Sequence, residues 1–121
     1  MKFLGACLIS KNVPALSEFY SKILGIEGEG DYTHMEFNTE GGGLAIFSIE
    51  GMEEMAPNSM DGAGYGSFTI TFEVKDVDEE YERIKALGVE FLKLPTTHPW
   101  GCRSFWFRDL DRNIVNFVTI F

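Results

Sequence analysis

Apolar side chains recur at Leu16, Phe19, Tyr20, Ile23 and Leu24, and this i, i+3, i+4, i+7, i+8 spacing puts them on one stripe of a helix over residues 14–24. Asn12 and Pro14 supply a start signal and Gly25 a stop. Residues 77–87 repeat the design: Val77, Tyr81, Ile84 and Leu87 face inward, while Asp78, Glu80, Glu82 and Lys85 face outward. Asp76 stands at the N-cap, Glu79 fits a capping box and Gly88 ends the segment. Each helix follows a strand, residues 3–10 and 68–74. The second strand alternates cleanly, with Phe68, Ile70, Phe72 and Val74 on one face and Thr69, Thr71 and Glu73 on the other.

Three strand-like runs then follow each helix: residues 26–30, 34–39 and 44–49 in the first half, and 90–94, 104–108 and 114–120 in the second. Gly41, Gly42 and Gly43 form one hairpin turn, and Asp109 to Asn113 form the other. The two halves are one pattern written twice, because 64 residues separate Asn12 from Asp76 and 63 separate Gly25 from Gly88. Each half reads as βαβββ. The chain is expected to be one domain of 121 residues, with module one at about 1–50 and module two at about 67–121. Residues 51–66, rich in Gly and Met and containing Pro57, show no periodicity and read as a linker and mobile lid.

The segment Phe19-Tyr20-Ser21-Lys22-Ile23-Leu24-Gly25 resembles the F-Y-x-x-x-L-G of the vicinal oxygen chelate superfamily, which contains glyoxalases, extradiol dioxygenases and fosfomycin- and bleomycin-resistance proteins. Pro99 to Asn113 is similar to its P-W-G-x-R-x-F-x-F-x-D-P-D-G-N, with Leu110 and Arg112 in place of Pro and Gly. The resemblance covers essentially the whole chain. It implies an α+β fold in which two βαβββ modules form a curved, mostly antiparallel eight-stranded sheet, with helices on the outer face and a cleft inside. It also implies a homodimer. Metal-using members take ligands from the first and last strand of each module; here those positions fall on Gly5, Ala45, Thr69 and Asn116. Gly and Ala offer no side-chain donor, and Thr and Asn are weak neutral ones, so neither a metal nor another cofactor is expected.

Charge narrows the partners. Ten Lys and Arg against nineteen Asp and Glu give a net charge of −9, a field that repels nucleic acid and anionic membranes and favours a small cationic molecule. Met1 to Ile9 carry a charge and an apolar run, but Ser10-Lys11-Asn12 interrupt it too early for a signal segment. Cys7 and Cys102 lack metal-ligand or disulfide-framework spacing and read as free thiols. The expected location is therefore the cytoplasm.

His34 and Glu36, two apart on a strand, share a face that is assigned to the cavity. They are the candidates for an acid–base pair, or with Cys7 for a displaced metal site, although a strand His more often packs and hydrogen-bonds. Cys7 with His34 is a further nucleophile pairing. Trp100 lies between Pro99 and Gly101 in a loop, and Trp106 matches a pocket-facing position of the resembling fosfomycin-resistance proteins; both are assigned to ligand stacking. Phe47, Thr69, Thr71, Ser104 and Asn116 complete the ligand-facing set. Arg103 has the opposite parity and is expected in a structural salt bridge, and His98 is expected to be an exposed loop residue. The leading expectation is a metal-free protein similar to bleomycin-resistance proteins, sequestering a cationic or aromatic compound. The alternative is a glyoxalase-type lyase or isomerase with relocated ligands or His34/Glu36 acid–base chemistry.

Overall fold

The local signals are realised in the computed structural model, which describes residues 1–121. The Asn12 side chain accepts from the Ala15 N–H and opens α1 (Val13–Leu24), which closes on Gly25 in the left-handed conformation. Asp76 caps α3 (Val77–Lys85) by accepting from the Asp78 and Glu79 N–H groups. The return bond from Glu79 that would complete a capping box is not made. Leu87 lies beyond the last helical turn and is exposed rather than inward.

Contacts divide the chain into two compact units, Met1–Ala63 and Gly64–Phe121. The first holds β1 (Gly5–Ser10), α1, β2 (Glu29–Gly30), β3 (His34–Asn38), β4 (Gly43–Ser48) and α2 (Ile49–Met55). The second holds β5 (Thr69–Glu73), α3, β6 (Phe91–His98), β7 (Cys102–Arg108) and β8 (Ile114–Ile120). The eight strands are hydrogen-bonded as two four-stranded sheets in equivalent orders, β1-β4-β3-β2 and β5-β8-β7-β6. In each sheet the first strand of the module runs parallel to the last, and the other pairs are antiparallel. The α+β class and the doubled βαβββ plan are therefore both present.

Each sheet has one face against its helix. In the first unit Leu8, Phe37, Leu44 and Ile46 are buried with Leu16, Tyr20 and Ile23 of α1. In the second, Phe105, Phe107, Val115 and Phe117 are buried with Val77 and Ile84 of α3. Removing each such side chain from water contributes about 1.5–3 kcal/mol. Arg103 does make the structural bridge, gripping Asp78 of α3 through two bonds, Nε to Oδ2 at 2.9 Å and Nη2 to Oδ1 at 2.8 Å.

Three segments differ from the sequence expectation. The strand expected over 26–30 is reduced to the two residues of β2. The linker begins with helix α2, which Ser48 caps by accepting from the Gly51 N–H. Strand β6 runs past Leu94 and through Pro95 to His98, with two register shifts against β7. At the second hairpin, buried Asp109 accepts from the N–H groups of Asp111 and Asn113 and from Asn113 Nδ2. This lets Arg112 occupy a left-handed φ of 68° where the resembling motif has Gly. None of the three helices is long and apolar enough to cross a membrane.

Candidate functional site

Alternation leaves each sheet a second face, away from its helix, and the chemistry gathers there. On the second sheet Trp106 of β7 lies opposite Lys93 of β6 on one side and Asn116 of β8 on the other, and Asn116 lies opposite Thr71 of β5. One residue pair further along, Ser104 lies opposite Thr96, and then Cys102 lies opposite His98. These side chains share one surface. The Lys93 ammonium stands over the Trp106 ring, 4.8 Å from its centroid. Its Nζ is 2.7 Å from His98 Nε2 and 2.5 Å from Ser104 Oγ, and the latter two atoms are 3.4 Å apart.

His98 is thus no free loop residue. It ends β6, half-buried, and the exposed Trp100 ring stacks on it at 4.5 Å and 9°. No carboxylate accompanies Lys93; burial pushes its pKa down, against a smaller opposing influence from Cys102. Sequence reading placed Trp100, Trp106, Ser104, Thr71 and Asn116 on this surface but missed Lys93 and His98. Thr69 opens the same alternation on β5 and is exposed. Two buried polar atoms here lack a partner, Trp106 Nε1 and Asn116 Oδ1. Asn116 Nδ2 donates to Thr71 Oγ1 at 3.3 Å.

On the first sheet the second face carries Cys7, Ala45 and Glu36 across one row, and Ile9, Phe47 and His34 across the next. His34 Nε2 and Glu36 Oε1 are 3.9 Å apart with both side chains largely exposed. The His34 ring meets Phe47 edge-on at 5.7 Å, and Gly51 of α2 lies so close to the Phe47 ring that a Cβ there would come within 2.6 Å of it. Cys7 is not in the row of His34. Burial, and secondarily the Glu36 charge, push its thiol pKa up, the reverse of what activates a nucleophile. The pairing of Cys7 with His34 is therefore set aside. A cleft of ≈ 470 Å³ lies on the helix side of this unit, between α1 and β3, floored by Met35 and Phe37 and rimmed by Glu18, Glu27 and Asp31.

The positions that hold metal in the resembling enzymes do not fit an ion. Ala45 has no donor, and Asn116 and Thr69 are neutral. Gly5 has a φ of +151°, and a Cβ added to it would sit 2.1 Å from the Gly43 carbonyl oxygen, so this backbone admits no ligating side chain at that point. Nor do three or more His, Cys, Asp or Glu side chains converge anywhere in a group able to hold a metal.

Comparison with known proteins agrees with the doubled plan. A glyoxalase/bleomycin resistance protein/dioxygenase family enzyme from Burkholderia phytofirmans PsJN is similar in fold, with a TM-score of 0.87 at 17% identity over 97% of each chain. A protein of unknown function from Agrobacterium tumefaciens str. C58 gives 0.83 at 26% identity, over 100% of this chain and 95% of its own. Lactoylglutathione lyase from Agrobacterium tumefaciens gives 0.78 at 21%, over 98% and 92%. No curated protein sequence matches the chain. The family model described as Glyoxalase/Bleomycin resistance protein/Dioxygenase superfamily matches residues 3–117. Since that match begins before β1 and ends within β8, taking in both modules, the chain belongs to the glyoxalase/bleomycin resistance protein/dioxygenase superfamily.

Proposed function

We propose that the protein binds a flat aromatic small molecule without a metal, and that the helix-free face of the second sheet is its recognition surface. The observation that carries this reading is the half-buried Trp106 indole, set in a sheet among polar side chains, with the exposed Trp100 ring stacked on His98, whose Nε2 meets the Lys93 Nζ that stands over Trp106. An indole face on a rigid strand gives a planar ligand a large contact at little cost in side-chain entropy. The preference is for an aromatic rather than a cationic ligand, because Lys93 already stands over Trp106, and a second cation there meets like charge. The acidic surroundings that would suit a cation belong to the first unit, at Glu36 and around the Glu18, Glu27 and Asp31 cleft.

Sequestration needs no covalent chemistry, since a Kd of about 1 μM already corresponds to about −8 kcal/mol. Titration with planar aromatic compounds is expected to quench tryptophan fluorescence, and Trp106→Ala to weaken binding about tenfold, equivalent to about 1.4 kcal/mol. Undiminished binding by both Trp106→Ala and Trp100→Ala defeats the reading. A lyase or isomerase using His34 and Glu36 has less support, because the 3.9 Å pair is largely exposed and His34 is turned against Phe47. The assembly proposed with this function is a homodimer, which sedimentation velocity on the purified chain would reveal as twice the monomer mass.

A further inference from the structure

Resting on the reading of the second sheet's helix-free face as the recognition surface, we infer that Lys93 is a nucleophilic amine and that the ligand is an aromatic aldehyde or ketone, captured as an imine. The geometry that carries this is the convergence of Lys93 Nζ with His98 Nε2 at 2.7 Å and Ser104 Oγ at 2.5 Å above the Trp106 ring. A neutral amine has two N–H donors and one lone pair. The two acceptors take both hydrogens, leaving the lone pair for a carbonyl carbon.

No carboxylate pairs with this lysine, and the Trp106 face is the main group near it that favours its charged form. The groups facing it are Trp106, Ser104 and Cys102 from β7, His98 from its own strand and, one strand further, Asn116 from β8. None is a carboxylate; Glu73, on the same face, stands on β5 opposite Val118, two strands from Ser104, and Lys93 has no salt bridge. Three other lysines differ: Lys22 pairs with Glu18 at 3.2 Å, while Lys11 and Lys75 are exposed. Burial lowers the pKa of Lys93, which raises the neutral fraction at a given pH, as in other lysines that form Schiff bases.

The step balances without a redox partner. Nζ attacks the carbonyl carbon, and the C=O π pair moves to oxygen. The proton lost from nitrogen goes to His98 Nε2, while Ser104 Oγ lends its hydrogen to the new alkoxide and recovers it from the imidazolium. The carbinolamine then loses its hydroxyl as water, protonated by the same pair, and its remaining N–H proton returns to that pair as the C=N bond forms. The net change is amine plus carbonyl to imine plus water. Trp106 supplies the floor for the aromatic ring, and Trp100 braces His98.

The test uses the whole protein, a limiting amount of benzaldehyde and cyanoborohydride near neutral pH, read by intact mass and peptide mapping. One benzyl group per chain on Lys93, ahead of Lys11 and Lys75, is the expected result. Lys93→Arg, which keeps charge and bulk, should lose the adduct altogether. His98→Gln should fold and slow capture by about 10²-fold, the low end of what a positioned acid–base group contributes. Modification spread evenly over exposed lysines, or an adduct that forms equally fast in His98→Gln, overturns the proposal. So does salt-sensitive binding of benzoate that survives Lys93→Arg without any trapping by benzaldehyde, because the amine is then only a cation. Fluorescence titration with benzyl alcohol separates the two levels: quenching without trapping sinks the imine alone, and neither effect sinks the binding reading as well.

Discussion

Asp78 and Arg103 show how one pair of side chains ties the helix of the second unit to its sheet. Two hydrogen bonds from the guanidinium hold the Asp78 carboxyl below its ordinary pKa of 3.8. A carboxylate whose pKa falls on folding adds stability above its unfolded pKa and loses it as pH falls through the folded value. Asp78→Asn is therefore expected to be less stable than the parent at pH 7, with the difference vanishing as acid titrates the parent carboxylate. Urea midpoints at pH 7 and at a pH low enough to protonate the folded carboxyl, well below 3.8, check this; a gap that persists there would assign the effect to packing. Lys93 has the opposite sign, because burial penalises its charge. Of the two basic residues, Arg103 and Lys93, only Arg103 was legible from sequence. Its parity on the clean alternation of β7 put it opposite Trp106, whereas no such count applies to Lys93.

The reason lies in the element that carries Lys93. Strand β6 has two register shifts against β7, between Phe91 and Lys93 and between Lys93 and Thr96. Each extra residue exchanges the faces of everything beyond it. Phe91 faces Phe107 in the core, while Lys93, of the same sequence parity, sits opposite Trp106 on the other side. A reading that stops the strand at Leu94, before Pro95, cannot place His98 on it. By contrast α1 and α3 were legible almost to the residue, since their 3.6-residue stripes and caps are both written in the chain. Helix α2 was not, because its seven residues bury no side chain. It is set by Ser48 and by Gly51, which lies against the Phe47 ring. Gly51→Ala gains intrinsic helix propensity of up to about 1 kcal/mol, but its methyl would meet the ring at 2.6 Å. The ring clash should win, with a net loss of roughly 1–2 kcal/mol in urea unfolding.

Across the whole chain the doubled βαβββ plan was visible as a repeat of about half the length, and the equivalent strand orders of the two sheets repeat it in hydrogen bonds. The same plan distributes the family's metal-holding positions over both units, at Gly5 and Ala45 and at Thr69 and Asn116. Neither unit offers an anionic or imidazole donor there. Addition of Ni²⁺, Zn²⁺ or Mn²⁺ is accordingly expected to leave the melting temperature unchanged within the shift given by EDTA, whereas a bound ion would raise it with concentration. A metal-dependent rise that EDTA reverses, and that survives replacement of His34 and Glu36, would contradict this.

The contact of Gly5 with the Gly43 carbonyl has a wider meaning for what the scaffold can become. Placing an imidazole at position 5 by a single replacement would drive its first carbon into the main chain of the neighbouring strand, so the parallel β1–β4 pair would have to part before any ligand could form. The backbone itself bars an ion-holding side chain there, and a laboratory attempt to build such a centre would have to remodel that strand pair first and add the donor second.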